Sequence, residues 1–246
     1  MKEMKPSASA SRQTQGGPPT RGQSIRIAVG VALSLFLPWW AKRRILQWIC
    51  GYSIDPTARI GLSWIAPRHL RMGPFSSIGH GNVCKGIRLL ELGPHAAIRQ
   101  LNWMSGYPEG KGPHFAAAVD RRNEVILEEH SAVTSRHLID ATDRIRIGAF
   151  STVAGARSQI MTHQIDFIQP RQTCRPADIG AYCFVATGCV VLPGAKLPDC
   201  SILGAMSLLK NRWDQPYTLY AGVPAKPCRE LDPKSGYFQR KEGYVI

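Results

Sequence analysis

Between residues 179 and 209 an aliphatic side chain returns at every sixth position: Ile179, Val185, Val191, Leu197, Leu203 and Leu209. An amphipathic helix repeats every 3.6 residues and a half-buried strand every 2, so neither makes this pattern. Four residues after each of the first five stands a small residue, namely Cys183, Cys189, Ala195, Ser201 and Ser207. A six-residue unit cannot fold alone, so such units must stack on one another and bury their aliphatic residues between neighbours. The pattern predicts a parallel β-helix. A large side chain at the fifth position would crowd the inner corner of each coil, which makes Cys183 and Cys189 wall filling rather than chemistry.

Shorter pieces of the same pattern lie upstream, at Ile54 with Ala58 and Ile60, Met72 with Ser76 and Ile78, and Leu92 with Ala96 and Ile98. Leu127 with Ser131 and Val133, then Ile147 with Ser151 and Val153, continue it. Ile54 and Met72 are eighteen apart, as are Ile179 and Leu197, so three hexapeptides make one triangular coil. Where the spacing stretches, chain must leave the coil. Two excursions are predicted, near 103–124 and 161–177, each with one histidine, His114 or His163. Excursions from a rigid scaffold are favoured places for function.

The repeat runs from about 52 to 210 and argues for one β-helical domain, followed by a short tail at 211–246. Residues 1–24 are polar, basic and rich in Ser, Gly and Pro, and are expected to be disordered. Residues 25–51 form an amphipathic or interfacial helical segment: Ile27 to Ala41 is uncharged, with Arg26 before it and Lys42, Arg43 and Arg44 after it. A membrane-crossing helix needs about 20 apolar residues, and Pro38 interrupts this stretch. Trp39, Trp40 and Trp48 beside the basic cluster suit a membrane interface, and covering the open end of the coil is a compatible use of the same segment. A net charge of +14 points to anionic partners, either membrane lipid or a phosphorylated small molecule. No nucleic-acid motif is present and the cations follow no single helix face, so nucleic acid is not expected. Seven cysteines, odd in number and without a CxxC pair, fit a reducing, cytoplasmic setting, with peripheral contact at the inner face of the membrane.

Four passages resemble the hexapeptide-repeat acyltransferases: the hexads of 179–209, "IGAFSTVAGARSQIMTHQID" at 147–166, "VVLPGAKL" at 190–197 and "AGVPAKPCREL" at 221–231. The likeness is nearest to sugar O-acetyltransferases of polysaccharide biosynthesis. It implies a left-handed helix, a handedness that the period itself does not give. It further implies acetyl-CoA as donor, a sugar or glycan hydroxyl as acceptor, no metal, and a homotrimer with its active site between neighbouring subunits. His163 matches the family's general base, because imidazole titrates near neutrality and can take the acceptor's proton as its oxygen attacks the thioester. Asp166 or Asp140 would orient the ring, and Asp140 and His137 are the expected acceptor contacts. Thr187 and Ala205 fall where the family keeps small residues along the coenzyme's pantetheine arm. Lys226 and Arg229 match the basic residues that face its phosphates, and Lys210 stands near where relatives carry a threonine-lysine pair.

Two other readings remain open. The same fold hosts gamma-class carbonic anhydrases, which hold a metal with three imidazoles, but here His130 and His137 are seven apart and no His-x4-His pair exists. A non-catalytic repeat scaffold that binds only a partner or a membrane is the other, although a pure scaffold has no chemical reason to keep the "GVPAKPCRE" ending.

Overall fold

A computed structural model describes residues 20–109, 114–115, 118 and 120–243. The strands between Ser53–Ile54 and Leu208–Leu209 are two to four residues long, apart from one hairpin, and stack in parallel as three faces of a prism. The register shows why the hexads matter. Along the second face Ile60 lies over Ile78, then Ile98, Val133, Val153, Val185 and Leu203 in turn. All are buried, and each contributes about 1.5–3 kcal/mol by leaving water. Cys183 and Cys189 are fully buried in the wall, as their position in the hexad required, and burial pushes the Cys183 thiol up to about 12. All seven cysteines are free thiols.

Along the edge between the first and second faces, one side chain per coil points outward just before the small inner residue. Phe75, His95, His130, Phe150 and Tyr182 stack there ring on ring, 4.6 to 5.0 Å apart. That spacing is the distance between hydrogen-bonded strands, so the ladder follows from the coil rise. The chain end returns along this ladder. Tyr237 Oη donates to Cys183 O at 3.1 Å, Gly243 N donates to His130 Nδ1 at 3.1 Å, and Arg240 lies over the rings of Tyr182 and Tyr237.

The N-terminal segment is two helices rather than one, α1 (Arg21–Ser34) and α2 (Trp39–Cys50), with Pro38 at the N-cap of α2. The boundary expected at residue 24 therefore falls within α1, and residues 1–19 of the expected tail lie outside the described residues. Gly51 ends α2 at φ 72°, a backbone state that glycine adopts without strain. The pair caps the first coil: Ile27, Val31, Leu46 and Cys50 join one core with Ile54, Ile60 and Ile65. Lys42 Nζ donates to Gly61 O at 2.7 Å and Gln47 Nε2 to Ile54 O at 3.2 Å. Among the described residues no helix is long and apolar enough to cross a membrane.

At the far end Tyr220 is fully buried, stacked on Trp213, on a strand (Thr218–Gly222) that extends the second face. Ala225–Glu230 folds back antiparallel against it.

Candidate active site

His163 stands where the chain leaves the third face, one residue after the fully buried Thr162. Thr162 Oγ1 donates to Asp140 O at 2.7 Å and accepts from Asp143 N at 2.9 Å, which pins the exit to the coil below. From there His163–Asp166 pairs antiparallel with Arg171–Cys174, so the second excursion is a β-hairpin. His163 lies across from Cys174, whose thiol is pushed up to about 11 by burial and then by the Asp143 charge. Cys174 is therefore a neutral wall beside the imidazole, not a thiolate nucleophile.

The imidazole is held by Asp140. Its Nδ1 contacts Asp140 Oδ2, while Asp140 Oδ1 accepts from Thr142 N at 3.2 Å and Thr142 Oγ1 at 2.8 Å. A carboxylate only accepts, so Nδ1 carries a proton, and in the neutral ring the lone pair is on Nε2. Phe115, from the first excursion, sets its ring edge-on to the imidazole at 6.0 Å. Phe115 is buried under Arg121, whose guanidinium lies 5.0 Å over the ring and donates to Tyr107 O, Pro108 O and Thr142 O. The two excursions thus meet at His163, as Gln172 Nε2 and His114 Nδ1 also do at 3.3 Å. A half-exposed imidazole with a fixed tautomer, walled on one side, is a proton acceptor ready for a hydroxyl or an amine.

Asp166 is not part of this arrangement. It sits at the hairpin tip, where its Oδ1 accepts from Ile168 N at 3.0 Å and Gln169 N at 3.2 Å and Oδ2 lies 3.8 Å from Arg171, so its role there is that of a turn former. His137 as an acceptor contact also requires correction. It points into the coil, 2% exposed, with Nδ1 accepting from Ser158 N at 3.2 Å and Nε2 2.9 Å from Thr134 Oγ1. Burial pulls its imidazole down to about 4, so it is a neutral member of an inner polar ladder. In that ladder the side chains of Ser63, Asn82, Asn102, His137 and Ser158 link successive coils, each accepting from the backbone N–H above it, the last from Cys189 N. The register could have told this: Leu138 pairs with Gln159 and Gln159 with Val190, so His137 lies in the same column as Cys189.

The expected donor residues divide between places. Thr187 and Ala205 lie exposed on the edge between the second and third faces, where Thr187 Oγ1 donates to Ala156 O at 2.9 Å. Gly155 belongs to the same edge, and a methyl group there would come within 2.6 Å of Thr187 Cβ. Sequence reasoning missed two further residues of this edge, Arg136 and Arg157, stacked through an Arg157 N to Arg136 O bond at 3.0 Å and both exposed. Lys210 follows the last strand of the third face and so lies on the edge that carries His163. Lys226 and Arg229 are exposed on the terminal antiparallel strand, Lys226 opposite Ala221 and Arg229 opposite Leu219.

No family model matches the chain, and neither does any curated protein. Solved structures do. A variant of AntD, an N-acyltransferase from Bacillus cereus, in complex with dTDP-4-amino-4,6-dideoxyglucose and coenzyme A, superimposes with a TM-score of 0.51 at 14% identity, over 74% of this chain and 87% of that one. A second variant of AntD gives 0.50 at 15% identity, over 67% and 82%. The chain has the fold of the hexapeptide-repeat acyltransferases, a left-handed parallel β-helix. A hexapeptide-repeat acetyltransferase from Vibrio cholerae, complexed with acetyl coenzyme A, is more distant, with a TM-score of 0.46 at 16% identity over 86% and 87%.

The imidazoles that a carbonic-anhydrase-like centre would recruit are otherwise engaged. His130 is stacked between His95 and Phe150 on the first edge, and His137 spends both ring nitrogens inside the coil. Among the described residues no group of three or more His, Cys, Asp or Glu side chains is arranged to hold a metal ion.

Proposed function

We propose that this protein is an acyltransferase that moves an acetyl group from acetyl-CoA to a hydroxyl of a sugar or glycan precursor. The observation that carries it is the Asp140–His163 pair at the mouth of a hairpin, with Nε2 left as the base. As the acceptor oxygen attacks the thioester carbonyl, Nε2 takes its proton. When the tetrahedral intermediate collapses, the C–S bond breaks and the imidazolium returns that proton to the departing thiolate. Asp140 steadies the imidazolium between the two steps, and no covalent enzyme intermediate is needed. The AntD complexes, with an amino sugar nucleotide and coenzyme A bound on the same fold, support a sugar acceptor and a coenzyme A donor.

The division of the residues over two edges bears on assembly. Thr187 and Ala205 lie on one edge of the prism and His163 on another, so one chain does not bring its own donor groove to its own base. A neighbouring copy does so in a ring of three, with the groove of one subunit against His163 of the next. The terminal Lys226 and Arg229, with Arg136 and Arg157 along the edge, supply cations for the coenzyme's phosphates. The free thiols suit a reducing compartment, and we place the reaction in the cytoplasm.

Titration calorimetry with coenzyme A separates this from a scaffold that only binds a partner. Saturable binding, one site per chain, is the expected result. A flat titration at millimolar coenzyme would overturn the proposal.

A further inference from the structure

The helical cap buries one side of each helix and leaves the other bare. On α1 the exposed residues Ile25, Val29 and Leu33 recur every fourth position, and Phe36 and Leu37 follow in the turn. On α2 the exposed line is Trp40, Arg44 and Trp48, again at every fourth position, with Trp40 67% and Trp48 87% exposed. Such spacing puts each set on one helix face. The opposite faces, carrying Ile27 and Val31 on α1 and Leu46 and Cys50 on α2, pack on the first coil. The bare faces therefore point away from the coil, at the end where the stack begins. A ring of subunits joined along their long edges leaves that end uncovered.

Charge tells what covers it. From Thr20 to Ile54 the chain has five cations, Arg21, Arg26, Lys42, Arg43 and Arg44, and no acidic residue. Lys42 is turned inward onto Gly61 O, and burial holds its amine below the usual lysine range. Arg21, Arg26 and Arg44 stay exposed beside the apolar residues. Two copies set cap to cap would press these like charges together, which disfavours a second copy of the chain. A surface with negative headgroups above hydrocarbon meets both the arginines and the aromatic rings, and tryptophan is at home at that boundary.

We propose that the exposed faces of α1 and α2 form a docking surface for an anionic lipid bilayer, on which the protein stands end-on.

The test uses the full chain with phosphatidylcholine vesicles prepared with and without phosphatidylglycerol. Co-flotation with the anionic vesicles only is expected, with a blue-shifted tryptophan emission that brominated acyl chains quench. Trp40→Ala with Trp48→Ala should weaken binding roughly 10²-fold, the effect of two large side chains no longer buried. Arg44→Glu should weaken it roughly thirtyfold, as two units of charge are lost beside anionic lipid. Both variants should keep the parent's circular dichroism and melting temperature, since all three side chains are exposed. Absence of binding to anionic vesicles would overturn the proposal. So would binding that these variants leave unchanged, or a concentration-dependent dimer that the tryptophan variant abolishes, which would make the surface a contact between copies.

Discussion

Replacing Asp140 by Asn keeps the size of the side chain and changes the proton arrangement at its far end. Oδ1 accepts two bonds from Thr142, so the second atom facing His163 Nδ1 would become an NH₂ group. A donor facing a donor turns the imidazole to its other tautomer and puts the proton on Nε2, where the acceptor must be deprotonated. Charge is lost as well. A unit pair about 4 Å apart near a protein surface is worth about 4 kcal/mol at an effective dielectric of about 20. The His163 side chain is 38% exposed against 15% for Asp140, so solvent screens about half of this, leaving roughly 2 kcal/mol or about thirtyfold in rate. Asp140→Ala, which lets water reach Nδ1, should show about that loss. Asp140→Asn adds the tautomer and should lower kcat roughly 10²–10³-fold, less than a fully buried pair would lose. The assay is steady-state release of the coenzyme A thiol with a saturating acceptor, alongside calorimetric coenzyme binding, which should stay within about twofold because Asp140 lies off the donor edge. Retention of a third or more of kcat in Asp140→Asn would refute the reasoning.

Removing both terminal cations, Lys226→Ala with Arg229→Ala, should raise the KM for acetyl-CoA far more than it lowers kcat, since phosphate contacts act alike in ground and transition states. Each lost charge-assisted contact should cost about 1.5–3 kcal/mol, and steady-state kinetics with dephospho-coenzyme A as control identifies which residue meets the 3′-phosphate. His137 is held near 4 in the fold against an ordinary value of 6.5. Below pH 6.5 the unfolded chain binds the extra proton, so the neutral ring's stabilisation is present above that pH and is lost as pH falls toward 4. Urea melts should show the parent losing up to about 3 kcal/mol between pH 7 and pH 4 beyond the loss in His137→Gln. Gly148→Ala puts a methyl group within 2.5 Å of the Gly180 backbone in the next coil and should cost about 1–3 kcal/mol, whereas Gly236→Ala meets open space and should leave the melt unchanged.

The coil was legible because its repeat is local. Ile179, Val185 and Val191 report their burial by spacing alone, and Cys183 and Cys189 could be assigned to the wall without any partner being known. The pairing of His163 was not legible in this way. Asp166 is three residues from it in sequence and Asp140 twenty-three, and only the stacking of one coil on the next puts Asp140 against the ring and leaves Asp166 at the hairpin tip. His137 shows the limit of reading polar side chains as surface groups. Its column already held Asn82, Asn102, Ser158 and Cys189, which close an inner corner through backbone bonds, but the change from small fillers such as Ser158 and Cys189 to the larger Asn82, Asn102 and His137 hid the repeat. The ring ladder on the first edge was hidden by its variety, since phenylalanine, histidine and tyrosine share only flatness.

Acyl transfer based at His163 is tested most directly by thiol release from acetyl-CoA across a panel of sugar nucleotides and oligosaccharides, with the parent chain and His163→Asn side by side. Acceptor-dependent release by the parent, lowered roughly 10²–10⁴-fold in the variant while coenzyme binding and melting temperature hold, is the predicted result. Equal rates from the two proteins with the same acceptor would contradict it.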